Sequence, residues 1–272
     1  MAAAETFLLP VGTGFRFCLL HRPPAGTPAR AAVVVAPPFA EELNKSRRMI
    51  ALTARQLADE GCVVLEADGH GCGDSSGDFA DATWDDWIED VVRAQRWLAE
   101  RFDAPQWIWG VRAGALLACA ALREVAAAGL LLWQPIVSGR QHLAAFLRVA
   151  TAGALLREGA EPASVKSLLA RLQSGEHVDV AGYSVAPAVA RGLDAARVEL
   201  PAVFRGRIAC LEVTSAGAPT PAVVAAADAW ARDGRVVALR AVSGPSFWQT
   251  TEIEVAPDLI AATAAMLREP AA

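Results

Sequence analysis

A doubly wound α/β sheet, mostly parallel and interrupted once by a helical insertion, is the fold class this 272-residue chain predicts. Three observations carry it. Short apolar runs recur at Ala31–Ala36, Cys62–Ala67 and Gly129–Trp133, as strands buried on both faces require. Segments with apolar residues at helical spacing separate them, and repeated βα units imply a parallel sheet with right-handed crossovers. The alternation stops at Gly139, gives way to helical stretches up to Pro201, and then resumes.

Taken in order, Thr6–Leu9 and Phe15–Leu20 flank Gly12-Thr13-Gly14 and read as an opening β-hairpin. After a Pro/Gly-rich loop (His21 to Arg30) comes the strand Ala31–Ala36. Asn44 to Glu60 has helical spacing (Met49, Leu52, Leu57), with Asn44 as its N-cap and Gly61 as its C-cap. The strand Cys62–Ala67 leads into a glycine-dense loop, Asp68 to Asp78. Thr83 precedes a helix, Trp84 to Arg101, with Trp87, Val91 and Leu98 on one face. Trp107 to Trp109, a turn, a helix through Ala121 and the strand Gly129–Trp133 follow. The insertion has helical stretches His142 to Arg157, Ala163 to Leu172 and Ala186 to Ala196, with an extended piece, Val178 to Tyr183. Strand Arg207 to Thr214, helix Thr220 to Arg232, strand Arg235 to Val242 and helix Ala256 to Arg268 complete the chain. The expected units are a core of 1–138 with 201–272 and a helical cap of 139–200.

A net charge of -5 without a basic stripe speaks against a nucleic-acid partner. Of the residues, 54% are hydrophobic, but much of this is alanine in charged helices, and no apolar run approaches the roughly 18–20 residues of a membrane span. Met1 to Glu5 lacks the positive region of a secretory signal. Cys18, Cys62, Cys119 and Cys210 sit in apolar runs as reduced core residues, so a cytoplasmic location is expected. No His/Cys/Asp cluster has metal-ligand spacing, and no cofactor is implied.

Gly110-Val111-Arg112-Ala113-Gly114 stands between an apolar strand and an apolar helix. This is the frame of a nucleophile elbow, Gly-x-Ser-x-Gly, with arginine at the tip. A guanidinium stays protonated and cannot attack a carbonyl. The elbow, the turn Asp68-Gly69-His70-Gly71-Cys72-Gly73-Asp74-Ser75-Ser76-Gly77 and Pro37-Pro38-Phe39 together resemble the α/β-hydrolase superfamily. A narrower resemblance lies in Ala36 to Met49, in Gly73 to Phe79 with Thr83 to Trp87, and in Gly244 to Gln249. These segments are similar to the exosortase A system-associated hydrolase 2 family. The resemblance implies an α/β-hydrolase fold with a helical cap, and partners among exosortase and exopolysaccharide-system proteins.

It also implies where a Ser–acid–His triad would stand. The serine position is Arg112; the acid's loop, Thr214 to Thr220, has no carboxylate, with Glu212 inside the preceding strand; the histidine's loop, Ser243 to Trp248, has no histidine. Two oxyanion donors remain, the backbone N–H groups of Phe39 and Ala113. With Arg112 at a helix N-terminus they would cradle a carboxylate or phosphate.

Plainer readings stand beside these. Arg112 can pair with Glu41, Glu42 or Asp68 instead of a ligand. Glu41-Glu42 can serve acid/base chemistry or the helix dipole, and Lys45, Arg47 and Arg48 a solvated face or partners within the chain. His70, Cys72, Ser75 and Ser76 read as loop structure, and His142 and His177 as surface residues of the cap. Tyr183 reads as a cap–sheet contact, with ligand contact as its alternative; Phe247 and Trp248 fill the missing histidine's place. The expected function is binding of an anionic or acyl ligand, or of a partner, without triad hydrolysis. The alternative is an ester or acyl hydrolase or transferase with a non-standard nucleophile or activated water.

Overall fold

In a computed structural model, which describes residues 3–155 and 164–268, the hairpin is β1 (Ala3–Val11) and β2 (Gly14–Arg22). Then follow β3 (Ala31–Ala36), α1 (Glu41–Asp59), β4 (Cys62–Ala67), α2 (Trp84–Arg101), β5 (Gln106–Val111), α3 (Gly114–Ala121) and β6 (Gly129–Trp133). The insertion holds α4 (Gly139–Leu155), α5 (Val165–Gln173), β7 (Val178–Val180), β8 (Tyr183–Val185) and α6 (Pro187–Ala195). The chain ends with β9 (Arg207–Val213), α7 (Pro221–Arg232), β10 (Val237–Val242) and α8 (Pro257–Arg268). The expected helix end at Arg157, the helix start at Ala163 and the first two residues lie outside the described residues.

The eight-stranded sheet has the order β1-β2-β4-β3-β5-β6-β9-β10. β1 and β2 run antiparallel to their neighbours, and the rest pair in parallel. This is the expected α/β-hydrolase sheet. Every residue of β3, β6 and β9 is buried, because helices cover both faces. One face packs on α1 and α8 through Met49, Ile50, Leu57, Leu259 and Met266. The other packs on α2, α3, α7 and the insertion through Val91, Leu98, Leu116, Trp230 and Leu147. α2 begins where its sequence says it should. Thr83 Oγ1 accepts from Asp86 N at 3.0 Å, and Asp86 Oδ2 accepts from Thr83 N at 2.9 Å, which together satisfy two end donors.

Two expectations need correction. Asn44 is not the N-cap of α1: the helix starts three residues earlier, after Ala40, whose φ of 50° breaks the chain direction. Glu41 and Glu42 therefore occupy the first turn, where the dipole favours them, and Asn44 spends its amide on Tyr183 Oη at 2.9 Å. The extended piece Val178 to Tyr183 is a hairpin rather than one segment, because Ala181-Gly182 turns the chain between β7 and β8 with both residues at positive φ.

Candidate functional site

Three non-glycine residues at the carboxyl edge of the sheet have left-handed backbones: Ala40 after β3, Arg112 after β5 and Gln134 after β6 (φ 50°, 55° and 43°). The turn at Arg112 is tight enough to need both flanking glycines. A Cβ on Gly110 would lie 2.7 Å from Ala115 Cα, and one on Gly114 would lie 2.0 Å from Ala36 O. The elbow geometry is thus kept around a side chain that cannot act as nucleophile.

The Arg112 guanidinium is held on three sides. Glu42 takes it bidentately, with Nε donating to Oε2 at 3.2 Å and Nη2 donating to Oε1 at 2.8 Å. Nη1 donates to Gln134 O at 3.3 Å. The Trp248 ring lies 4.8 Å from Cζ and adds a cation–π contact. Of the three carboxylates offered by the sequence, Glu42 is thus the partner. Asp68 pairs with Arg47 (2.9 Å), and Glu41 accepts from Tyr183 Oη (3.3 Å). Lys45 Nζ donates to Thr250 O at 2.7 Å and ties α1 to the loop after β10.

His142 is not a surface residue. Its side chain is 9% exposed, its ring stands edge-on to Phe39 (6.0 Å), and Nε2 lies 4.0 Å from Glu42 Oε2. Nε2 is buried without a hydrogen-bond partner. Burial pushes its pKa below the ordinary value, Glu42 opposes that and Arg112 adds to it, so the ring is neutral at pH 7. Four residues on, Phe146 packs on the same Phe39 ring at 5.0 Å, so the i,i+4 pair His142/Phe146 was the signal for an inward face. His177 is exposed, with Nε2 3.0 Å from Ala80 O. Gln134 was also missed: it follows β6 with no motif to mark it. Its Oε1 accepts from Val213 N at 2.8 Å, and its Nε2 donates to Glu212 at 3.2 Å.

The two loops where the resemblance would put an acid and a histidine are packed as follows. Glu212, buried in β9, accepts from Thr220 N (2.6 Å) and Thr220 Oγ1 (3.0 Å), which closes the loop where an acid would stand. Phe247 and Trp248, both buried, extend an aromatic ladder from Trp109 and Trp133 into the loop after β10. In the glycine-dense loop, Ser75 Oγ donates to Asp68 O (2.7 Å) and Ser76 Oγ donates to Phe15 O (2.9 Å), so both serve the backbone. Burial and the Asp68 charge push the Cys72 thiol up to about 12, which keeps it from acting as a thiolate.

Beside the elbow, a narrow apolar recess of about 30 Å³ is lined by Phe39, Ala40, Phe79, Trp87, Ala113 and Leu117, among others. Among the described residues the N–H groups of Phe39 and Ala113 have no protein acceptor. Tyr183 closes one side, its ring 5.1 Å from Phe79; burial and Glu41 push its hydroxyl up to about 12. Among the described residues no group of three or more His, Cys, Asp or Glu could hold a metal ion, and no helix is long and apolar enough to cross a membrane.

The family model described as serine aminopeptidase, S33 (Hydrolase_4) matches residues 27–199. The chain belongs to this S33 family. Among solved structures, the S33 chain is similar to Est1E from Butyrivibrio proteoclasticus with ferulic acid bound. The identity is 15%, the TM-score 0.60, and the match covers 96% of each chain. It is similar to an esterase from Rhizomucor miehei (15% identity, TM-score 0.60, 98% of this chain and 83% of the other). A lipase in its open form gives 20% identity and a TM-score of 0.64 over 97% of this chain and 98% of the other. At these identities the likeness concerns the α/β-hydrolase fold. No curated protein matches the S33 chain.

Proposed function

We propose that this S33 family member binds a small ligand with a carboxylate or similar anionic head and an apolar acyl part, and does not hydrolyse it by the Ser–His–acid route. One observation carries the reading: the elbow tip is a guanidinium, and beside it Phe39 and Ala113, whose N–H groups have no acceptor among the described residues, line an apolar recess. Such donors at a helix N-terminus favour negative charge, and an arginine fork matches a carboxylate. The resemblance of its loops to the exosortase A system-associated hydrolase 2 family supports a role beside exosortase and exopolysaccharide-system proteins, in the cytoplasm.

A specific observation favours a second reading. The neutral His142 Nε2, buried and unpartnered 4.0 Å from Glu42, is a base that could activate water against an ester or thioester. A panel of short- and long-chain p-nitrophenyl esters and acyl thioesters separates the two. The expected result is no turnover by wild type, Arg112→Ala or Arg112→Ser, since a new serine would have neither triad histidine nor acid beside it. Wild-type turnover lost in Arg112→Ala overturns the binding reading, and robust turnover gained in Arg112→Ser overturns the placement of the missing histidine.

A further inference from the structure

Arg112 cannot receive a bidentate carboxylate in the arrangement described, because its Nε–Nη2 edge is filled by Glu42, Nη1 turns to Gln134 O and Trp248 covers one face. An incoming carboxylate can gain that edge only by taking it from Glu42. Glu42 has somewhere to go. Its Oε2, 3.2 Å from Arg112 Nε, is also 4.0 Å from His142 Nε2, so a turn of about an ångström brings it into hydrogen-bond range. The nitrogen it meets is the buried one that lacks a partner.

We propose that Glu42, Arg112 and His142 form a proton-coupled exchange site for a monocarboxylate, in which the ligand's carboxylate replaces Glu42 on Arg112 and the displaced Glu42 pairs with a His142 that takes up one proton. The inference rests on the anion-binding reading above and adds to it the displaced group and the proton. Charge balance favours uptake of the proton. Free, the site holds one partly buried cation and one partly buried anion, and a second carboxylate would leave a poorly compensated negative charge. Protonating His142 restores neutrality and gives Glu42 a charged donor.

The groups acting on His142 are Glu42 from α1, which favours its protonated form, and Arg112 from the elbow, which opposes it. The elements packed against α4 bring Arg191 and Asp194 (α6), Lys166 and Arg171 (α5) and Asp179 (β7), and none of these contributes to its shift. Asp194 is taken by Arg140, and Arg171 by Glu176. Ligand on Arg112 therefore removes the one cation that opposed His142 and leaves the anion that favours it.

The sign follows. The free protein carries neutral His142 above its lowered pKa, and the complex carries it protonated up to a higher one. Between those two values the dissociation constant rises about tenfold per pH unit; it is flat below and above. The test is isothermal titration with sodium octanoate, a soluble monocarboxylate with an apolar chain, from pH 6 to 8 in paired buffers of different ionisation enthalpy. Wild type is expected to take up close to one proton per octanoate and to bind more weakly as pH rises. His142→Gln, which can still hydrogen-bond Glu42, is expected to bind with no proton uptake and no pH dependence over that range. Arg112→Ala is expected to lose about tenfold to a hundredfold in affinity, with Arg112→Lys as a charge-preserving control that the site is folded. Arg112-dependent binding without proton uptake, or uptake unchanged in His142→Gln, overturns the exchange while leaving anion binding standing. Absence of octanoate binding, or equal binding by Arg112→Ala, overturns the anion reading and the exchange with it.

Discussion

Placing one methyl group on Gly114 is expected to cost about 3 kcal/mol or more of stability. The added carbon would lie 2.0 Å from Ala36 O and 2.6 Å from Pro37 O, and both are backbone atoms. Ala36 cannot yield, because it ends β3 in register with Gly110 on β5. Pro37 cannot yield without moving Phe39, which packs against Trp87, His142 and Phe146. The remaining way out is for α3 to slide off the sheet, which opens the space between β3 and Leu116 and moves Ala113 away from Phe39. Gly114→Ala should therefore lower the urea midpoint and weaken octanoate binding together. A stability loss below about 1 kcal/mol, the size of an ordinary substitution, would show that the close approach of helix to strand is not required.

The second large effect is expected at Asp90. Its carboxylate accepts from Arg16 Nε at 2.7 Å and from His70 N at 2.8 Å, and both side chains of the ion pair are buried. Asp90→Ala would strand a buried guanidinium and an amide at once, which typically costs about 3–5 kcal/mol. Burial works against the charges of the pair. Burial, partly offset by Arg16, holds the Asp90 carboxyl above its ordinary range, so the native state binds its proton more tightly than the unfolded chain does. The stability from that proton is complete below the unfolded pKa of about 3.9 and is lost as pH rises through the raised value. What Asp90 adds at neutral pH is position, pinning β2 to α2 and to the glycine-dense loop. The double substitution Arg16→Met with Asp90→Leu should therefore recover most of the stability that Asp90→Ala loses, as urea unfolding of the three proteins would show. An equal loss in the double variant would mean that the charges themselves hold these elements together.

Ala31–Ala36, Cys62–Ala67, Gly129–Trp133 and α2 were legible to the residue, because short apolar runs bounded by turn residues suit two-face-buried strands and Thr83 is followed by Asp86 in capping register; the hairpin strands and β5 run longer than read, and β10 starts two residues later. The start of α1 was not legible. Asn44 is a good capping residue, and the feature that starts the helix earlier is a left-handed alanine, a conformation that residue type does not announce. At the site, the sequence offered three acids for Arg112 and could not choose, since the choice depends on how α1 enters over the elbow. His142 was misplaced for a similar reason. Its neighbours Leu143 and Leu147 mark one buried face of α4, and the second face becomes interior only when Phe39 is beneath it.

The insertion leaves the sheet and returns to it at nearly one point. Ser138 forms a β-bridge with Arg197, Val198 N donates to Val137 O at 3.4 Å, and Gly139 N donates to Ala196 O at 3.0 Å. His142 stands four residues beyond that bridge, so the clasp fixes the start of the helix that carries it over Glu42. Closing a longer excursion costs little, since each doubling of a flexible loop adds only about 0.6 kcal/mol. The outer part, α5 with the β7–β8 hairpin, adds packing on α4 beyond that anchored start. Lengthening or recasting it would reshape the mouth of the recess while the clasp keeps the start of α4 in place, so access can be altered with that end of the helix held.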